Sequence, residues 1–205
     1  MFLQSGQSIL KNTLKSLFST LLPDVLVAWS TFENVDSGVD NYLMEEIPLK
    51  PVGDNLLEFQ NKADAFVPST AVLTRDVSAT IRDAELRLSQ FKDVGGSILY
   101  IITSTVSVTN DTVVETELAE RLLLNNIKLV VAESGPDATT KALSRFAMLS
   151  QGSYYYQDSW RTTGFFLQIN REIDALTRNG LRTQRRMVLL FIGVCLKIRS
   201  LKYVF

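Results

Sequence analysis

Histidine is absent from this chain of 205 residues. That removes imidazole as a general base, as the partner of a nucleophile and as a metal ligand, and with it most hydrolase and zinc mechanisms. A single cysteine, Cys195, excludes an internal disulfide. The count is silent on compartment, because reduced cytosolic chains and some secreted α/β modules both lack bridges. No Gly-x-Ser-x-Gly elbow and no Gly-rich phosphate loop after a strand is present, and Asp93-Val94-Gly95-Gly96 precedes a strand and reads as a turn. The opening MFLQSGQS has no basic stretch followed by an apolar one, so no signal peptide is read. Acid is missing from one end: after Thr177 there are seven basic residues and no Asp or Glu, leaving 14 basic against 22 acidic before it, a net charge of -8. An acidic body argues against nucleic acid as the partner, since neutralising phosphates needs a basic face.

What is present is ordinary globular material, 46% apolar and 21% charged. It suits one domain over residues 1–177 and a tail over 178–205. The surest element is the strand at 97–103, SILYIIT, an almost unbroken apolar run entered through Gly95-Gly96. Such a run suits a strand buried on both faces of a parallel sheet. Apolar periodicity predicts helices at 8–22, 54–65, 77–91, 112–124, 137–150 and 163–177, with stops at Asn125-Asn126 and Gly180. Strands are expected at 25–32, 127–132 and 152–156, and short edge strands near 42–47. This alternation predicts an α/β fold, a doubly wound, mainly parallel sheet flanked by helices in three layers of the Rossmann type.

In such a sheet, ligands bind beyond the carboxyl ends of the strands. The candidate partner-binding loop is therefore Ser104, Thr105, Ser107, Thr109, Asn110 and Asp111, with Glu133 at the end of the next strand. Asp111 reads first as the cap of the helix at 112–124. Asn110-Asp111-Thr112 is also a glycosylation acceptor if the chain is secreted. The cluster Thr103, Ser104, Thr105, Ser107 and Thr109 has no base to activate a nucleophile, so catalysis is not expected. Tyr154, Tyr155 and Tyr156 read as a strand whose alternate rings face opposite sides, at least one of them packed in the core.

The tail holds MVLLFIGVCL at 187–196, ten apolar residues between the basic clusters RTQRR and KIRSLK. A bilayer span needs about 20. The segment reads as an interfacial anchor giving membrane association, or as a cut interdomain strand.

The segments ILKNTLKSLFSTLLPDVLVAWSTF, ILYIITS, ELAERLLLNNIKLVVAESGP and ALSRFAMLSQGSYYYQDS together resemble a von Willebrand factor type A domain. Within that family the pattern is similar to the calcium-activated chloride channel regulator group. The resemblance implies an adhesion module of an extracellular or cell-membrane protein, and a site for Mg or Ca built on Asp-x-Ser-x-Ser after the first strand, a middle-loop Thr and an Asp after the fourth strand. In this sequence the first loop falls on Leu3-Gln4-Ser5-Gly6-Gln7, Ser104 stands where the Asp belongs, and the middle Thr is Thr74 or Thr80. Ser5 and Ser104 thus mark a degenerate site, since neutral hydroxyls alone bind a hard cation weakly.

The family's first strand, central in its sheet, has no counterpart before residue 8. Either the chain is a fragment, or residues from elsewhere replace the strand, or the likeness is partial; the first is favoured. The expected function is a non-catalytic protein-interaction module without a cofactor. The alternative is an intracellular α/β domain binding a small molecule or nucleotide at the same edge.

Overall fold

The computed structural model describes residues 2–31, 44–67, 77–91, 96–103, 112–134, 140–157, 167–168, 170–175, 178 and 188–193. Among them are helices α1 (Phe2–Thr20), α2 (Val52–Ala65), α3 (Val77–Ser89), α4 (Thr112–Leu124) and α5 (Thr140–Leu149). The strands are β1 (Leu26–Thr31), β2 (Met44–Pro51), β3 (Ser97–Thr103), β4 (Ile127–Ser134), β5 (Ser153–Gln157) and β6 (Val188–Gly193). The elements alternate as expected. They build one sheet of six strands in the order β2-β1-β6-β3-β4-β5. β1, β6, β3, β4 and β5 run parallel, and β2 closes one edge antiparallel to β1.

The helices cover both faces. Leu10, Leu14, Leu17 and Phe18 recur at helical spacing on α1 and pack with Phe59 and Ala63 of α2 against Val27, Trp29, Ile98, Tyr100, Val130 and Ala132 of the sheet. Four rings anchor this layer: Phe18 lies 4.9 Å from Phe59 and 5.9 Å from Trp29, and Trp29 lies 5.5 Å from Phe66. A helical stretch at residues 170–175 adds Ile173 to the same core, and Asn170 donates from Nδ2 to the Thr13 carbonyl at 3.2 Å. On the other face, α3, α4 and α5 cover Leu99, Ile101, Leu129 and Val131. β3 therefore contributes alternate residues to two cores and is buried along its whole length.

Turns set these helices on the sheet. The first N–H groups of α2 donate to the Val25 and Pro23 carbonyls at 2.9 Å each, so the helix begins at Pro51 without a side-chain cap. After α5 the chain passes so close to β4 that a Cβ on Gly152 would sit 1.9 Å from the Leu129 carbonyl oxygen. Only glycine fits there. Asn126, at the expected stop after α4, takes a φ of 54°, a conformation that asparagine adopts more readily than most residues.

Two expectations are corrected. Residues 188–193 lie within the stretch assigned to a tail, yet they form β6 at the centre of the sheet, in register from Leu26↔Val188 to Thr31↔Gly193 on one side and from Ser97↔Val188 to Ile101↔Ile192 on the other. A strand from the far end of the described residues thus occupies the middle of the sheet, between β1 and β3. The physical reason is that β1 and β3 make no pairing with each other; an apolar parallel strand must lie between them to satisfy their inner ladders. Ser5 is corrected as well: residues 3–7 belong to α1 and not to a loop, the helical run extending to Phe2.

This placement has a direct test. Leu190→Pro removes a ladder N–H from a strand paired on both sides, a change expected to cost about 3 kcal/mol or more. Amide exchange should accelerate in β1 and β3 together with β6. Unchanged melting and unchanged protection of residues 97–101 would place 188–193 outside the sheet.

Candidate functional site

The carboxyl ends of β3 and β4 finish side by side. Thr103 and Glu133 are register partners, and both stand on the face covered by α3, α4 and α5, two residues beyond Ile101 and Val131. Burial is almost complete, at 0% exposure for Thr103 and 1% for Glu133. Tyr154 on β5 shares this face, and its hydroxyl donates to Glu133 Oε2 at 2.8 Å. Glu133 Oε1 and Thr103 Oγ1 are buried and have no hydrogen-bond partner among the described residues. Another such atom, Ser30 Oγ on β1, lies apart: Ser30 is level with Ile192 of β6 and so with Ile101, two strands away and two residues short of Thr103.

Burial disfavours the charged form of Glu133 and raises its carboxyl above the ordinary range, while the bond from Tyr154 draws it partly back. The Tyr154 phenol is pushed up by its own burial, and further by the hydrogen bond and the charge of Glu133. The site is a buried carboxyl with a raised affinity for its proton, one oxygen held by a neutral donor and the other without a hydrogen-bond partner among the described residues. Chemically it can accept a hydrogen bond or neutralise a cation, and no nucleophile or second titratable base adjoins it among the described residues.

The structure brings together only part of what the sequence suggested. Glu133 stands at the strand end as expected. Ser104, Thr105, Ser107, Thr109, Asn110, Asp111 and Thr74 lie outside the described residues. Thr80 is buried within α3 at 1% exposure, and Ser5 is within α1. Sequence reasoning missed the grouping of Thr103 and Tyr154 with Glu133. One signal for it exists: the runs 97–103 and 127–133 are equally long from their entry turns to their polar ends, so parallel pairing from the first residue sets Thr103 beside Glu133.

Among the described residues no group of three or more Cys, Asp or Glu is placed to hold a metal ion, and no helix is long and apolar enough to cross a membrane. In comparisons with known proteins, no family model and no curated protein matches the chain.

The raised carboxyl of Glu133 fixes a sign. The folded chain keeps this proton to a higher pH than the unfolded chain, so its contribution to stability is fully present below the unfolded value and is lost as pH rises through the folded one. Urea melts from about pH 4 to 8 should show the stability difference between the native chain and Glu133→Gln declining towards neutrality. Tyr154→Phe, which deletes the bond that stabilises the carboxylate, should steepen the decline. A flat difference across this range rules the account out.

Proposed function

We propose that this chain is a non-catalytic protein-interaction module of the von Willebrand factor type A kind, acting at a cell surface and engaging a protein partner at the carboxyl edge of its sheet. The observation that carries the reading is the strand order β2-β1-β6-β3-β4-β5. With β6 in the middle, the position that the resembling family gives to its first strand is filled, and the segments quoted for the resemblance take up positions on either side of it. This reading takes β6 as the counterpart of the family's first strand, contributed from the other end of the chain.

The same topology relocates the metal question. In the sequence, β6 is followed by Val194-Cys195-Leu196-Lys197, and β3 is followed by Ser104. The first offers no carboxylate and carries a cation, and the second opens with a neutral hydroxyl. A divalent ion that wants several anionic oxygens does not fit these residues. Recognition in this module therefore runs through side-chain shape, hydrogen bonds and the buried carboxyl of Glu133, without a metal bridge.

Two measurements test the reading. Calorimetric titration with magnesium and with calcium should show no one-to-one binding in the micromolar range, and tight stoichiometric binding overturns the metal-free part. Benzoylphenylalanine at position 134, the last residue of β4, should photo-capture a partner protein in cells expressing the chain, whereas the same group at position 24, in the turn before β1, should not. Capture from position 24 alone would put recognition at the opposite edge and sink the proposal.

A further inference from the structure

Three glutamates are buried among the described residues, Glu85, Glu115 and Glu133, with exposures of 1%, 2% and 1%. The fold neutralises the first two with arginine. Glu85 of α3 accepts from Arg121 through Oε2 and from Asn125 of the following turn through Oε1, at 2.6 Å for the latter. Glu115 of α4 accepts from Arg145 of α5. Among the described residues Glu133 has only the neutral hydroxyl of Tyr154, on Oε2. Its Oε1 is buried without a hydrogen-bond partner among them, and so is Thr103 Oγ1 at the paired position of the neighbouring strand. Burying a carboxylate without a cation is costly, and an unmet buried acceptor adds to the cost.

We infer that Glu133 and Thr103 form a subsite for a primary ammonium group brought in by a ligand at the carboxyl edge. The inference rests on the binding-edge reading above and deepens it by naming what the edge recognises. The register of Thr103 beside Glu133 on neighbouring strands is compatible with a single bridging nitrogen. Adjacent strands stand about 4.8 Å apart, and charge-assisted N–H···O bonds of about 2.8 Å on either side let one nitrogen bridge two oxygens on neighbouring strands. An ammonium has three donors and no acceptor, which matches a carboxylate oxygen and a hydroxyl oxygen as two of its partners. The chain as a whole has a formal net charge of -1, so the attraction for a cation here is local to Glu133. A lysine side chain of a protein partner and a free small amine share this chemistry.

The test uses the full chain, with Glu and Thr labelled for NMR and n-propylammonium chloride as the probe. Saturable shifts of the Glu133 side-chain carbon and the Thr103 amide are expected, with affinity weakened at least tenfold in Glu133→Gln and several-fold in Thr103→Val. Glu133→Gln keeps an acceptor for Tyr154, and its cooperative melt verifies folding. Shifts reproduced by 1-propanol or by sodium chloride at the same concentration, or no saturable shift at all, mean that water satisfies these atoms and overturn the inference. A capped Ala-Lys-Ala peptide separates the sources: binding as tight as that of propylammonium assigns a partner's lysine, and exclusion of the peptide while propylammonium binds assigns a small amine. Photo-capture from position 134 that survives in Glu133→Gln would keep the interaction-edge reading and discard the ammonium subsite.

Discussion

Backbone pairing of one strand on both of its sides is what the rest of this structure depends on. β6 is hydrogen-bonded to β1 along Leu26–Thr31 and to β3 along residues 97–101, and nothing else in the sheet joins the β2-β1 pair to the β3-β4-β5 triplet. With β6 absent, two parallel edges would face each other with their N–H and C=O groups unmet beneath helices that exclude water. Both helical layers presuppose a continuous sheet. The α1 and α2 layer spans from Trp29 on β1 to Val130 on β4, and the opposite layer spans from Ala28 to Val131, so each crosses the line that β6 occupies. A strand far along the chain thereby fixes where elements near its beginning can pack.

The same pairing sets the chemistry of the carboxyl edge. Parallel strands in register end at a common level, and their polar terminal residues gather there. Thr103 and Glu133 meet because β3 and β4 start together at Ser97 and Ile127. Tyr154 reaches Glu133 because β5 begins later, opposite Val130, which sets the tyrosine beside Val131 and within reach of the next residue up on the same face. Away from this edge, buried charge is cancelled between helices by Arg121 and Arg145. At the edge, among the described residues, it is met only by a neutral phenol.

Much of the local structure was legible in the residues. The run 97–103 coincides with β3 and the run 112–124 with α4, because apolar continuity and helical spacing are local signals that burial later reinforces. One boundary drifted: α1 starts well before residue 8, while the expected start of α5 at 137 lies outside the described residues. The segment 188–193 was misread. Its composition, wholly apolar between basic clusters, fits a central strand and a membrane anchor equally well, and no periodicity distinguishes them. Of the candidate site, Glu133 was visible as a lone carboxyl at the end of an apolar run. Its grouping with Thr103 and Tyr154 was not, because that needs the registers of three strands from separate parts of the chain.

By itself the sequence determined the α/β class, the identity of most helices and strands, the want of an imidazole base, and the acidic body with its basic end. These follow from composition and from interactions within a few residues. Only the tertiary structure decided the strand order, the central place of β6, and the meeting of Thr103, Glu133 and Tyr154 on one face. These depend on pairings between residues as distant as Leu26 and Val188, whose partners are chosen by the unmet backbone groups of the whole sheet and not by any local pattern.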